Sequence, residues 1–232
     1  MQRLFHADAD LRIQDRAASH CLTSLELAQQ IFPAFPSASF EASDRMLHLL
    51  ELRLPSDEIY ILEPDGQPLQ YIRAPFVVSL SSSEARRYPM NRLIARWAAW
   101  RFKRMRLPAD STLLPQDSVR KLSCIHPLAA KFAAHDTRFQ ICERSVFDAT
   151  PASCHVLRTM NIFHAAYFSR QQLATAVTAA FQTVCLNGLW IVGRTRESDS
   201  SNHATLFARR ERRWEVLARL GAGSEIEEFV RP

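Results

Sequence analysis

Glycine is scarce in this chain: five residues in 232. That scarcity excludes a glycine-rich P-loop, whose backbone must approach phosphates closely. Cysteines number five, an odd count, and none forms a C-x-x-C pair. Neither a disulfide framework nor a structural zinc site is expected, and free thiols in a cytoplasmic protein are the simple reading. Cys124 and His126 would share one face of a strand, whereas Cys154 and His155 would point to opposite faces. With no second paired spacing to complete a ligand set, no metal is expected. H-E-x-x-H and a serine nucleophile elbow are also absent from the sequence. No apolar run approaches the length that crosses a bilayer, and Met1–Ala9 carries Asp8 without the apolar core of a secretory signal. The formal charge of +5 and pI of about 9.2 are mild, permitting an anionic partner without requiring one.

What is present suits a folded domain. Hydrophobic residues make up 47% of the chain, ample for a core, and 232 residues suit one domain over 1–232 with a small insertion. Leu11–Ala17 alternates like a first strand. Leu22–Phe32 has helical spacing and is closed by Pro33 and Pro36. Ala38–Ala42 reads as a second strand ending at Ser43-Asp44. A helix fits Arg45–Leu52, and the apolar run Glu58–Leu62 is turned back by Pro64–Gln67 onto Pro68–Ile72. The stretch 81–115 reads as a basic helical insertion or lid. After Ser81–Ser83, Leu93, Ile94, Trp97 and Trp100 lie near one face, and Arg92, Arg96, Arg101, Lys103, Arg104 and Arg106 surround the other. Its use stays open between a solvated helix over the sheet, a lid whose Trp97 meets substrate, and a contact for nucleic acid or another anionic surface. Val119–Ile125, Leu128–Ala134 and Phe139–Phe147 read as strand, helix and strand.

The chain is organised around 154–195. Cys154–Thr159 is short and apolar, as in a buried parallel strand. Ser169 is placed to cap a helix whose buried face is Leu173, Val177, Ala180, Phe181 and Val184. Asn187-Gly188 then reads as a helix stop, and Leu189–Val192 as the next strand. Ala204–Arg209 and Trp214–Arg219 pair at the end. The alternation predicts an α/β fold: a Rossmann-like, doubly wound, mostly parallel sheet with an antiparallel C-terminal strand pair and a basic helical insertion. Ligands of such sheets bind beyond the carboxyl ends of the strands, which points to Asn161, His164, Tyr167, Arg194 and Thr195.

The blocks Arg158, Asn161, Tyr167, Phe168 and Gly188, Leu189, Val192, Gly193, Arg194, Thr195, with the tail from Asn202 to Val230, resemble the class I S-adenosylmethionine-dependent methyltransferases. They are most similar to chemotaxis-receptor methyltransferases and a group of uncharacterised bacterial relatives. One of that group's two glycines is Asn187 here, and the helical docking domain of the chemotaxis enzymes has no counterpart. The resemblance implies S-adenosylmethionine as cofactor and methyl transfer to an unidentified acceptor, a small molecule or a protein. It implies cofactor contacts at Asp15, Ala17, Ala18, Ser19, Asp44, Ser145, Val146 and Asn161. Where the family has an acidic residue and a glycine-rich turn, this chain has Asp15 followed by a glycine-free stretch to Cys21. Asp44 stands where a carboxylate takes ribose hydroxyls, or simply caps a helix. Ser145 replaces the acid beside adenine, leaving its hydroxyl and the Val146 N–H to serve. Asn161, His164 and Tyr167 are the candidate catalytic residues, and Arg194 and Trp97 the candidate substrate contacts. The alternative is a catalytically inactive binding protein of the same fold that holds an anionic or protein partner through its basic helix. A homodimer also stays open.

Overall fold

The computed structural model describes residues 10–81, 88–105, 118–164, 167–196 and 199–230. Its elements, in chain order, begin with β1 (Arg12–Arg16), α1 (Leu22–Ile31), β2 (Ser39–Asp44), β3 (His48–Arg53), β4 (Ile59–Leu62), β5 (Pro68–Arg73), β6 (Phe76–Ser79), α2 (Pro89–Arg104) and β7 (Val119–Ser123). They continue with α3 (Pro127–His135), β8 (Phe139–Glu143), β9 (Cys154–Met160), α4 (Arg170–Thr183), β10 (Val184–Thr195), β11 (Asn202–Arg209), β12 (Trp214–Leu220) and α5 (Glu227–Val230). The chain divides into two compact units, Met1–Arg45 with Ile125–Pro232, and Met46–Cys124.

The first unit is built on a seven-stranded sheet in the order β12-β11-β10-β9-β1-β2-β8. The five strands from β10 to β8 are parallel, and β11 and β12 add an antiparallel edge. The alternation of β1 side chains shows how the sheet is wound. Asp15 meets Ser24 of α1 on one face, while its neighbours Gln14 and Arg16 meet Ser153 and Thr183 on the other. Thr183 belongs to α4, so α1 and α4 cover opposite faces. The α4 side is packed around Trp190, Phe207 and Trp214, with Leu173, Ala176, Val177 and Ala180 of the helix against them. On the α1 side, Phe40 stacks on Phe139, and Phe132 of α3 meets Phe139 edge-on. Aromatic pairs of this kind add to the burial of their area.

Ser169 caps α4 as its position predicts. Its hydroxyl accepts from the Gln172 amide, and the Gln172 side chain accepts from the Ser169 amide, closing a capping box. The other end of α4 differs from expectation. No glycine stops the helix: it ends at Thr183, and Val184 passes directly into β10 with an extended backbone. Asn187-Gly188 lies inside β10, where the register with β9 shifts between Val184 and Leu189. Asn187 is left-handed there (φ 62), as an inserted residue in a bulge often is.

The second unit carries its own antiparallel sheet in the order β6-β5-β4-β3-β7, with α2 packed on it. Leu50, Leu52, Tyr60, Leu62, Tyr71 and Ala98 form its core. The expected Glu58–Ile72 hairpin is present as β4 and β5. The segment read as a helix over Arg45–Leu52 is instead β3, which gains partners on both sides, β4 and β7. The basic helix of 81–115 is α2; residues 82–87 and 106–115 of that stretch, with Ser82, Ser83 and Arg106, lie outside the described residues. Glu58 ties the unit together. Its buried carboxylate accepts from Ser56 Oγ at 2.5 Å, Tyr71 OH at 2.9 Å and Arg101 Nη2 at 2.6 Å. Burial pushes its pKa up, but these hydrogen bonds and the Arg101 charge outweigh burial and hold it below the ordinary value.

Candidate functional site

Strand order reverses at β1, which has β2 on one side and β9 on the other. Ligands of open α/β sheets bind outside the carboxyl ends at such a point. The carboxyl end of β1 runs into Ala17–Cys21, that of β2 ends at Asp44, and that of β9 leads to Asn161. The register, Asp15 beside Ala42 and Arg158, and Gly193 beside Met160, brings these ends to one edge with Arg194 and Thr195 of β10.

The loop from β1 to α1 has an unusual backbone. Ala17 (φ 59), Ser19 (φ 52) and Cys21 (φ 63) are all left-handed, and Ala18 between them is not. Left-handed residues at alternate positions are what glycine normally supplies; a Cβ there costs about 1–2 kcal/mol each. Compensation comes from hydrogen bonds. The Ala18 amide donates to Ser43 O at 3.0 Å, the Cys21 amide to Ala18 O at 2.9 Å, and the Ser19 amide to Asp44 Oδ2 at 2.8 Å. Asp44 therefore holds the loop from the end of β2. The Cys21 side chain is fully buried, and burial, reinforced by the nearby Asp44 and Asp15 charges, pushes its thiol up to about 12. It is a packing residue.

Asp15 lies beneath this loop, 1% exposed. Its Oδ2 accepts from Ser24 Oγ at 2.7 Å and from Arg158 Nη1 at 2.6 Å. Its Oδ1 is buried and has no hydrogen-bond partner among the described residues. Burial raises its pKa, and Arg158 and Ser24 oppose that rise without cancelling it. The sequence pattern contains Arg158, but Ser24 and the orphaned oxygen emerge only from the fold. Ser145 and Val146 follow β8. The Ser145 amide donates to Asp148 Oδ2 at 2.8 Å, and its hydroxyl accepts from the Phe147 amide at 3.2 Å. Val146 packs against the core under α4. Asp148 is the acid of this turn, three residues beyond Ser145.

Asn161 ends β9 with a left-handed backbone (φ 57), a conformation asparagine tolerates well. Its amide donates to Gly193 O at 2.8 Å, and its Oδ1 accepts from the Thr195 amide at 2.8 Å, locking the ends of β9 and β10 together. Gly193 is needed there, because a Cβ would lie 2.7 Å from Ala204 Cβ and 2.9 Å from His203 O. A cleft of about 690 Å³ opens beside it, lined by Asn161, Phe163, His164, Tyr167, Arg194, Thr195 and Arg196. The expected Asn161, His164, Tyr167 and Arg194 thus share one cavity. The His164 and Tyr167 rings are 5.5 Å apart. Glu225, unmarked by the sequence reading, joins them: its Oε1 lies 2.7 Å from Arg194 Nη2 and 4.0 Å from His164 Nε2.

Trp97 belongs to the Met46–Cys124 unit, on α2, edge-on to Tyr71 at 5.7 Å. His126, read as a strand residue, instead caps α3 by accepting from the Leu128 amide at 3.2 Å, and Cys124 lies just past the end of β7. Among the described residues no group of three His, Cys, Asp or Glu is arranged to hold a metal ion, and no helix is long and apolar enough to cross a membrane.

No family model and no curated protein matches the chain. Solved structures to which it is similar include the methyltransferase SibL in its apo form (14% identity, TM-score 0.33, covering 79% of this chain and 30% of that one). Another is the Haemonchus contortus phosphoethanolamine N-methyltransferase 2 in complex with S-adenosyl-L-methionine (7% identity, TM-score 0.37, 83% and 26%). A third is the CurJ carbon methyltransferase (8% identity, TM-score 0.40, 84% and 31%). The chain spans less than a third of the length of each of these three.

Proposed function

We propose that this protein transfers a methyl group from S-adenosylmethionine to an acceptor bound in the cleft of Asn161, His164, Tyr167 and Arg194. The observation that carries the reading is the β1–α1 loop. Its backbone takes the left-handed form at three alternate positions, at the switch point of the sheet, although none of the three residues is a glycine. The residues there fit the cofactor. The orphaned, buried Asp15 Oδ1 is an acceptor that an ammonium donor would satisfy. Ala17, Ala18 and Ser19 are small enough for a ligand to approach the backbone, with Asp44 bracing them. Ser145 and Val146 would border the adenine.

The cofactor supplies a methyl group already activated on a sulfonium sulfur, so the protein's own task is mainly positioning. Asn161 holds the β9 and β10 ends in register with its Oδ1, which leaves its amide nitrogen to orient ligands. His164 is the cleft group suited to accept a proton from an acceptor that must lose one. Arg194, held by Glu225, presents positive charge to the acceptor. The competing reading is a catalytically inactive binding protein, favoured by the Cβ atoms at Ala17, Ser19 and Cys21. Incubation with S-adenosylmethionine labelled in the methyl group and with cell extract separates the two. Label appearing in an extract component, and lost with His164→Ala or Asn161→Ala, supports the enzyme. Retained cofactor binding without any transfer supports the binding protein.

A further inference from the structure

We propose that α2 docks the protein onto an anionic lipid surface. The helix carries five cations, Arg92, Arg96, Arg101, Lys103 and Arg104, and no acidic residue. One face is accounted for: Ala98 is buried, and Ile94, Phe102 and Met105 pack on the sheet core. The helix has a second apolar face that the sheet does not cover. Met90, Leu93, Trp97 and Trp100 are 62%, 64%, 40% and 51% exposed. At about 100° per residue they form one stripe, roughly 115° around the helix from the buried face. Arg92, Arg96 and Lys103 run along one side of that stripe, exposed and without an ion pair among the described residues. Arg104 lies over the Trp100 ring at 4.2 Å. Arg101 is the exception, committed to Glu58.

The chemistry of the stripe selects the occupant. Single-stranded nucleic acid is held by open aromatic faces on which bases stack. Here Arg104 already covers one indole, Tyr71 meets the other at 5.7 Å, and Met90 and Leu93 offer no stacking surface. Aliphatic residues and tryptophans in one stripe, flanked by cations only, match the boundary between acyl chains and anionic headgroups. A helix with this arrangement lies in the plane of the interface; no spanning segment is involved.

The test is co-sedimentation of the full-length protein with vesicles of phosphatidylcholine alone and of phosphatidylcholine with phosphatidylglycerol. Binding to the anionic vesicles is expected, with a blue shift of tryptophan fluorescence, and little binding to the neutral ones. Arg92→Gln, Arg96→Gln and Lys103→Gln together are expected to weaken it about a hundredfold, at roughly tenfold or less per cation. Leu93→Gln with Trp100→Gln is expected to weaken it at least tenfold. These side chains are exposed, so an unchanged thermal midpoint in both variants is the control for folding. Absence of vesicle binding overturns the proposal, as does wild-type affinity in the Leu93/Trp100 variant. Salt-sensitive binding to a single-stranded oligonucleotide without vesicle binding overturns it in favour of nucleic acid.

Discussion

Replacing Ala17 by glycine is expected to stabilise the protein, the reverse of the usual effect of that change. Ala17 is held at φ 59, where a residue with a Cβ costs about 1–2 kcal/mol. Glycine removes that strain but makes the unfolded chain more disordered, at about 0.4–1 kcal/mol. It also loses a half-buried methyl worth a few tenths of a kcal/mol, on the order of 25 cal/mol per Å². The net is a gain of about 0.5 kcal/mol. Ser19, exposed at φ 52, loses less burial, so Ala17→Gly with Ser19→Gly should gain about 1 kcal/mol, or roughly 2–4 °C in the unfolding midpoint of a chain this size. Cys21→Gly should gain nothing, because emptying a fully buried position offsets the relief. The internal control is Ala18→Gly. Ala18 is not left-handed, so this change should cost about 0.4–1 kcal/mol. Thermal and urea unfolding of the four variants give the pattern. If Ala17→Gly and Ser19→Gly lose stability as Ala18→Gly does, the left-handed alternation is wrong, and the argument for a cofactor loop goes with it.

Three other outcomes follow from the geometry. Glu58→Gln should destabilise the Met46–Cys124 unit by about 1.5–3 kcal/mol, since it strips the buried carboxylate of the charge that strengthens its hydrogen bond to the partly exposed Arg101; hydrogen exchange should report the loss in that unit. Because the Glu58 pKa is lowered on folding, its contribution is present above the ordinary carboxyl value near 4.3 and is lost as pH falls through the folded value. Glu58→Gln should therefore flatten that acid limb of the stability profile. Arg158→Leu should cost about 3 kcal/mol at neutral pH by leaving the buried Asp15 carboxylate with Ser24 alone. Asp15 is already raised by burial and would rise further, so the deficit should shrink as acid protonates it; a deficit that does not change on acidification would contradict this. Asn161→Gly keeps the left-handed turn and loses the Thr195 bond, costing about 1 kcal/mol. Asn161→Val should cost about 2–3 kcal/mol because a β-branched residue is strained there, and equal losses in urea melts would refute the role of backbone conformation.

Much of the main sheet was legible because its signals are local. The period of Leu22–Phe32, the alternation of β1, the short apolar run of β9 and the cap at Ser169 each depend on neighbours within one or two turns. β3 was not legible. Its sequence HLLELR suits a helix or a strand, and what decides it is pairing with β4 and with β7, the latter some seventy residues on. Asn187-Gly188 carries the letters of a helix stop, yet Val184 had already entered the strand. At the site, Asn161, His164, Tyr167 and Arg194 follow from their places after strands, whereas Glu225 and Ser24 are set by contacts across the fold. The left-handed turns at Ala17, Ser19 and Cys21 gave no cue, since none of these residues favours that conformation.

Whether the β1–α1 loop holds a cofactor is decided by calorimetric titration of the protein with S-adenosylmethionine, repeated with S-adenosylhomocysteine. Micromolar binding of both at one site is expected, with mutual competition and a raised thermal midpoint with either ligand. Asp15→Ala should weaken both by removing the orphaned acceptor at Oδ1. No heat and no thermal stabilisation at millimolar ligand would contradict it.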